Sequence, residues 1–276
     1  MNEVVRILRE GGVIAIPTET VYGLISYFGV KDSWRRIFSL KGREWNKPLA
    51  LFIRSVEEMS RWVDFSLPAW ILGNNLWPGP LTLVLKRKEE VDFPWETVGF
   101  RIPDHPVPLT ILSELSPLWS TSANPAGKIP AIKGEEVKRY FGGRVDMVVR
   151  EGEELVRGVP STVIFLEEDK LIFLRKGPLK EEKVKNTLKI SKILFLGEKR
   201  GGDSLPVEIL FLKEISGDLW EEVDLVVVET EEERRDWIEK LPHFQRKILS
   251  LEWIGGRKYG WERFLRELEK LYRYCQ

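Results

Sequence analysis

The chain is poor in the residues from which many active sites are built. It has one cysteine, Cys275, in 276 residues. A single copy therefore closes no internal disulfide and assembles no cysteine zinc cluster. The two histidines, His105 and His243, stand far apart without ligand spacing and read as surface or capping residues. No Ser-His-Asp arrangement, HExxH helix or glycine-rich nucleotide fingerprint occurs. Any chemistry must come from holding charged reactants together, not from a covalent nucleophile. Net charge is also missing: Lys+Arg and Asp+Glu each number 43. That excludes a global pull toward nucleic acid or membrane and leaves only a local basic patch open. No apolar run reaches membrane-spanning length. The opening Met1-Asn2-Glu3-Val4-Val5-Arg6 lacks signal-peptide anatomy, so a cytoplasmic location is expected. Glutamine is confined to Gln245 and Gln276 beside abundant Lys, Glu and Arg, a composition that points to a thermophile.

What is present is a folded chain, 43% hydrophobic and 31% charged, long enough for one large domain or two ordinary ones. The stretch Gly12-Val13-Ile14-Ala15-Ile16-Pro17-Thr18-Glu19-Thr20-Val21-Tyr22-Gly23-Leu24 is the most informative. A buried strand stops at a proline and delivers hydroxyls, a carboxylate and a tyrosine to a sheet end, where open α/β folds build their sites. Helices are expected over Val4 to Arg9, from a cap at Asp32, from a capping box at Ser55-Val56-Glu57-Glu58, over Ser66 to Leu76 and over Pro106 to Leu115. Strands are expected at Leu49 to Ile53, Leu81 to Leu85, Val98 to Ile102, Leu118 to Thr121 and Asp146 to Val149. Ser161 to Phe165 and Leu171 to Leu174 read as a hairpin. The mixture predicts an α/β (α+β) fold. Beyond a charged helix and linker at Lys180 to Lys192, a smaller α/β module is predicted, with strands at Ile193, Val207 and Leu225 and helices over Glu231 to Leu241 and Trp261 to Tyr272. The boundary is set at 1–186 and 187–276.

Three polar groups carry chemistry. Lys41-Gly42-Arg43 closes a helix, where both cations can turn into one cleft and face a phosphate-bearing ligand; alone, a solvated helix end is the favoured reading. Ser122-Ala123-Asn124 at a strand end can hold a ligand, or equally make a turn. Arg101, inside an apolar strand, must meet an anion, with a structural carboxylate about as good a reading as a ligand. Thr97 begins that strand, Ser161 precedes a strand, and Arg175 follows one.

In order, Pro17 to Leu24, Lys41-Gly42-Arg43, Lys47-Pro48-Leu49, Trp77 to Leu85, Arg101-Ile102-Pro103, Ser122-Ala123-Asn124 and Ser161-Thr162-Val163 closely resemble the YrdC/Sua5 family, from about Val4 to Leu179. The resemblance implies a twisted open sheet around a large basic cavity, with a small C-terminal α/β domain in the longer members. It implies an L-threonylcarbamoyladenylate synthase that joins L-threonine, bicarbonate or CO2, and ATP with Mg2+, releasing pyrophosphate. A separate transferase complex then moves the threonylcarbamoyl group onto tRNA. By resemblance, Lys41, Arg43, Ser122 and Asn124 form the catalytic KxR…SxN site. Thr20, Arg101 and Ser161 hold L-threonine, with Arg101 on its carboxylate. Arg43, Lys47, Thr97, Asn124 and Arg175 contact ATP; no residue is assigned to a metal. The chain departs from the pattern at Glu44, where proline is usual, and at Phe52, where two-domain members often carry a histidine. It also lacks the KYRHYAP-like linker between Leu179 and Ile193, and the Gly201-Gly202-Asp203-Ser204 loop does not replace it. A competing reading is an RNA-binding module for tRNA or double-stranded RNA, without catalysis. A hydrogenase-maturation enzyme built on a related domain is excluded at full length by the single cysteine and the length.

Overall fold

The computed structural model describes residues 1–150, 156–167, 170–190, 192–196, 208–212, 223–240 and 242–275. The expected Gly201 to Ser204 loop lies outside them. The chain divides into two units: Met1–Asp64, Leu76–Glu167 and Leu171–Lys180 form the first; Phe65–Asn75, Glu168–Lys170 and Glu181–Gln276 form the second.

The first unit carries helices α1 (Asn2–Arg9), α2 (Ser33–Lys41), α4 (Pro106–Glu114) and α5 (Gly134–Phe141). The helix between α2 and α4, α3 (Leu67–Leu76), falls almost wholly in the second unit. Nine strands form one mixed sheet: β1 (Ile14–Ile16), β2 (Gly23–Tyr27), β3 (Ala50–Phe52), β4 (Leu81–Lys86), β5 (Thr97–Arg101), β6 (Leu118–Ser122), β7 (Met147–Val148), β8 (Thr162–Glu167) and β9 (Lys170–Arg175). Their order is β7-β1-β2-β6-β3-β5-β4-β8-β9. β8 and β9 are neighbours, as the hairpin reading requires. β3 and β8 pair parallel to β5 and β4, respectively. Because successive strand residues face opposite sides, one face can be apolar and the other carry a site. Ile14, Ile16, Ile25 and Leu118 pack with Val4 and Leu8 of α1 and with Ile111 and Leu112 of α4 in a core cluster.

Local signals were read well where they were apolar and less well where they depended on a polar partner. Asp32 does occupy the N-cap of α2, but in the left-handed region (φ 58°) and with no side-chain capping bond; its carboxylate pairs with Arg35 at 3.0 Å instead. The expected capping box at Ser55 to Glu58 does not form. Residues Glu57–Arg61 make a 3-10 turn without a side-chain cap, because Glu58 accepts from the Arg54 N–H at 2.9 Å and the Ser116 hydroxyl at 2.6 Å. His105 is a cap, as expected, accepting from the Val107 N–H at 3.2 Å, but it is buried, not at the surface.

In the second unit, β10 (Lys192–Leu196), β11 (Glu208–Leu212), β12 (Leu225–Val228) and β13 (Ile248–Ser250) form a parallel sheet, β11-β10-β12-β13. All four residues of β12 are buried, as a parallel strand covered on both faces requires. Helices α6 (Glu181–Thr187), α7 (Glu231–Lys240) and α8 (Leu251–Cys275) belong to this unit. The expected Trp261 to Tyr272 helix is ten residues longer at its start; Gly255-Gly256 marked no break. The buried Glu267 of α8 accepts from the Leu67 N–H of α3 at 3.0 Å, which satisfies a donor that a helix start leaves open.

Candidate active site

One face of the central strands lines a pocket of about 330 Å³ in the first unit. The lining alternates along the strands: Ala50 and Phe52, Thr82 and Val84, Thr97, Gly99 and Arg101, Ser120 and Ser122, Ser161 and Val163. The two-residue period of a strand puts each set on one face. Thr18, Val21 and Tyr22 enter from the turn after β1, Arg43 and Pro48 from the loop after α2, and Arg175 from the end of β9. Among the described residues, three arginines and no carboxylate line the pocket.

Arg101 is buried, 5% exposed. Its Nη2 donates to the Thr20 hydroxyl at 2.9 Å and its Nε to the Gly79 carbonyl at 3.2 Å. Nη2 also lies 2.7 Å from Glu19 Oε1, so the structural carboxylate left open by the sequence exists. Burial lowers the Arg101 pKa, and the Glu19 charge opposes that. Arg175 donates Nε and Nη2 to the Ser161 carbonyl and hydroxyl at 2.9 and 3.0 Å. Its pKa falls through burial and then through repulsion from Arg101, which places the two guanidiniums in one electrostatic neighbourhood. The Ser161 hydroxyl meets Thr82 at 2.8 Å. Thr82 is a site residue that sequence reasoning missed; its signal was the polar residue inside the Leu81 to Leu85 run, partnered only through the β4–β8 pairing.

The Lys41-Gly42-Arg43 segment splits in two. Gly42 takes the left-handed conformation (φ 59°) that ends α2. Lys41 turns inward, 3% exposed. Its ammonium donates to the Ser122 carbonyl at 2.5 Å, the Asn124 carbonyl at 2.7 Å and Asn124 Oδ1 at 3.2 Å. Burial, then the Arg43 charge, brings its pKa down to about 7; three oxygen acceptors act the other way by favouring the charged form. Arg43 borders the pocket and donates Nε and Nη2 to the Lys47 and Pro48 carbonyls at 2.9 and 3.0 Å. Of the two cations expected to face one cleft, Arg43 is among the lining residues of the pocket and Lys41 is not; Lys41 lies against the Ser122–Asn124 turn. An ammonium has only three donors, and all three have oxygens to meet.

Of the other expected residues, Ser122, Thr97, Arg101, Ser161 and Arg175 border the pocket, whereas Thr20, Lys47 and Asn124 do not. Asn124 accepts from the Ser122 hydroxyl at 2.7 Å and donates to the Lys128 carbonyl at 2.6 Å. Lys47 is exposed and pairs with Glu44 at 3.1 Å. Phe52 lies with its ring centroid 5.7 Å from the Arg101 guanidinium carbon. Among the described residues, no three His, Cys, Asp or Glu side chains are grouped to hold a metal, and no helix is long and apolar enough to cross a membrane.

Comparison with known proteins converges on one family. A model of the Sua5/YciO/YrdC domain, described as telomere recombination, matches residues 6–177. The threonylcarbamoyl-AMP synthase of Pyrococcus abyssi is 37% identical over 188 residues, covering 66% of this chain and 55% of that protein. That of Bacillus subtilis is 36% identical over 188 residues, covering 64% and 53%. The chain thus spans about half the length of these curated relatives. The crystal structure of P. abyssi Sua5 complexed with L-threonine superposes with a TM-score of 0.63 at 26% identity, covering 99% of this chain and 94% of that one.

Proposed function

The chain belongs to the Sua5/YciO/YrdC family, and we propose that it is an L-threonylcarbamoyladenylate synthase that makes threonylcarbamoyl-AMP and pyrophosphate from L-threonine, CO2 or bicarbonate, and ATP. The observation that carries this reading is the pocket lined by Arg43, Arg101 and Arg175, with no carboxylate among the described residues of its walls. Such a pocket suits reactants that are themselves anions: an amino-acid carboxylate, a carbamate and a triphosphate.

In this reading the Arg101 corner takes the threonine carboxylate, with Thr20 holding the guanidinium and Ser161 beside it. The amine attacks CO2, forming the C–N bond and losing a proton to solvent. A carbamate oxygen then attacks the α-phosphorus, and the bond to the β-phosphate oxygen breaks. Arg43 offsets the charge that builds on the phosphates, and Arg175, held on Ser161 in the field of Arg101, stands at the edge of the ATP side. Lys41 acts through the Ser122–Asn124 turn, holding the Ser122 hydroxyl at the pocket wall. Magnesium fits as the counter-ion that ATP carries on its own phosphates. Thr97 and Lys47 complete the ATP side. We further propose that 1–186 is the catalytic domain and 187–276 an accessory Sua5-like domain. The cell compartment is the cytoplasm, and the product passes to a tRNA threonylcarbamoyl transferase.

The test is to mix the purified protein with ATP, magnesium, L-threonine and bicarbonate. The expected outcome is threonine-dependent pyrophosphate release with a new adenylate of the threonylcarbamoyl-AMP mass. Absence of turnover together with tight, salt-sensitive tRNA binding would replace this reading with an RNA-binding module.

A further inference from the structure

Glu19 has no part in the chemistry above, although it sits between Thr18 and Thr20 in the turn that forms one wall. Its side chain is 10% exposed, and both carboxylate oxygens are shielded from solvent without a directed hydrogen bond. Arg101 Nη2 approaches Glu19 Oε1 at 2.7 Å in an ion pair, and the Glu19 charge favours the charged guanidinium. The directed bonds of Arg101 go to Thr20 and Gly79 instead. A carboxylate that fixed the guanidinium would take the two-pronged geometry. What Glu19 supplies to Arg101 is foremost charge.

That charge has a use because Arg101 is not alone. Arg175 is held on Ser161, and both guanidiniums border the same pocket. Among the described residues, two guanidiniums and one buried carboxylate leave this corner a single net positive charge. A bound amino acid presents one carboxylate there and brings the corner to neutrality. A dicarboxylate or inorganic phosphate overshoots and leaves a negative charge in a poorly solvated place. We infer that Glu19 is a positioning residue that sets this corner to one net positive charge, so that it selects a monocarboxylate over dianions. The inference rests on the proposed binding of L-threonine at Arg101.

Binding of L-threonine and of succinate, measured by calorimetry on the full chain, tests it. For Glu19→Gln, which keeps shape and removes charge, succinate should bind on the order of tenfold more tightly relative to L-threonine, with the KM for ATP unchanged. Glu19→Asp should keep the native preference. The double variant Glu19→Gln/Arg175→Gln returns the corner to one positive charge and should return the preference as well. It also serves as the test should the single Gln variant fail to fold. An unaltered preference in Glu19→Gln, or a double variant that does not revert toward wild type, overturns the inference while leaving the function standing. A wild-type protein that neither binds L-threonine nor releases pyrophosphate overturns both.

Discussion

Lys41 and Arg101 are both buried cations, 3% and 5% exposed, and the chain neutralises them in different ways. Around Arg101 there is an anion, Glu19, together with the Thr20 hydroxyl and the Gly79 carbonyl. Around Lys41 there are only neutral oxygens, two backbone carbonyls and one amide, all within 3.2 Å. A guanidinium stays charged under almost any burial, so its charge must be balanced. An ammonium can shift its pKa instead. The difference assigns roles. The Arg101 corner keeps a usable charge beside the pocket; the Lys41 corner spends its donors on shaping a turn.

The contrast breaks most visibly at Arg101. Arg101→Ala leaves Glu19 as an unpaired buried carboxylate, and the expected cost is about 3–5 kcal/mol of stability. Denaturant unfolding reads this, and L-threonine binding should vanish with it. A loss below about 1 kcal/mol would mean that burial of Glu19 does not depend on Arg101. Next comes Lys41→Met, which keeps the bulk and removes the donors. It takes a donor from three oxygens, of which Asn124 Oδ1 keeps the Ser122 hydroxyl, and is expected to cost about 1–3 kcal/mol, with turnover falling because the Ser122–Asn124 turn loosens. The pH dependence sharpens the comparison further. Lys41 titrates near 7 in the folded chain against an ordinary value of 10.5. Between those values the unfolded chain holds the extra proton, so wild type should gain stability relative to Lys41→Met as pH rises from 7 toward 10. The slope should lie below the limit of about 1.4 kcal/mol per pH unit for one proton, because the three oxygens favour the ammonium. A difference that is flat with pH would show that those oxygens hold Lys41 fully charged. Arg101→Ala measured against wild type should show no such slope from the arginine itself.

The sheet and most helices of the first unit were legible because their signals are local: apolar runs, and the Lys41-Gly42-Arg43 segment that closes α2. The site was legible as a set of strand ends and loops. What could not be read locally were the long-range pairings that give each polar residue its partner. Thr82 and Ser161 meet across 79 residues, and Lys41 and Ser122 across 81. Glu58 fits a capping box until Ser116, 58 residues away, takes its carboxylate. Arg101 was correctly read as needing an anion, yet the choice of Glu19 required knowing that the turn after β1 lies beside β5 in space.

Arg43 provides the smallest effect on stability and separates structure from chemistry most cleanly. Unlike the two buried cations, it has partial exposure to water and meets only the carbonyls of its own loop, Lys47 and Pro48. Burial lowers its pKa, yet no buried carboxylate depends on it. Removing it strands no charge, and two carbonyls in an exposed loop can turn to solvent. Arg43→Ala should therefore unfold within about 1 kcal/mol of wild type. Turnover should respond far more, because Arg43 is the cation of the Lys41-Gly42-Arg43 segment that borders the pocket. Loss of one group that stabilises developing phosphate charge is expected to lower the rate on the order of 100-fold. L-threonine binding, which the proposed function gives to Arg101, should stay within about twofold of wild type, since Arg43 and Arg101 share no side-chain partner. Stability and threonine affinity near wild type with a large loss of pyrophosphate release would place Arg43 on the phosphate side of the pocket. Equal losses in all three measurements would make it another strut, like Lys41.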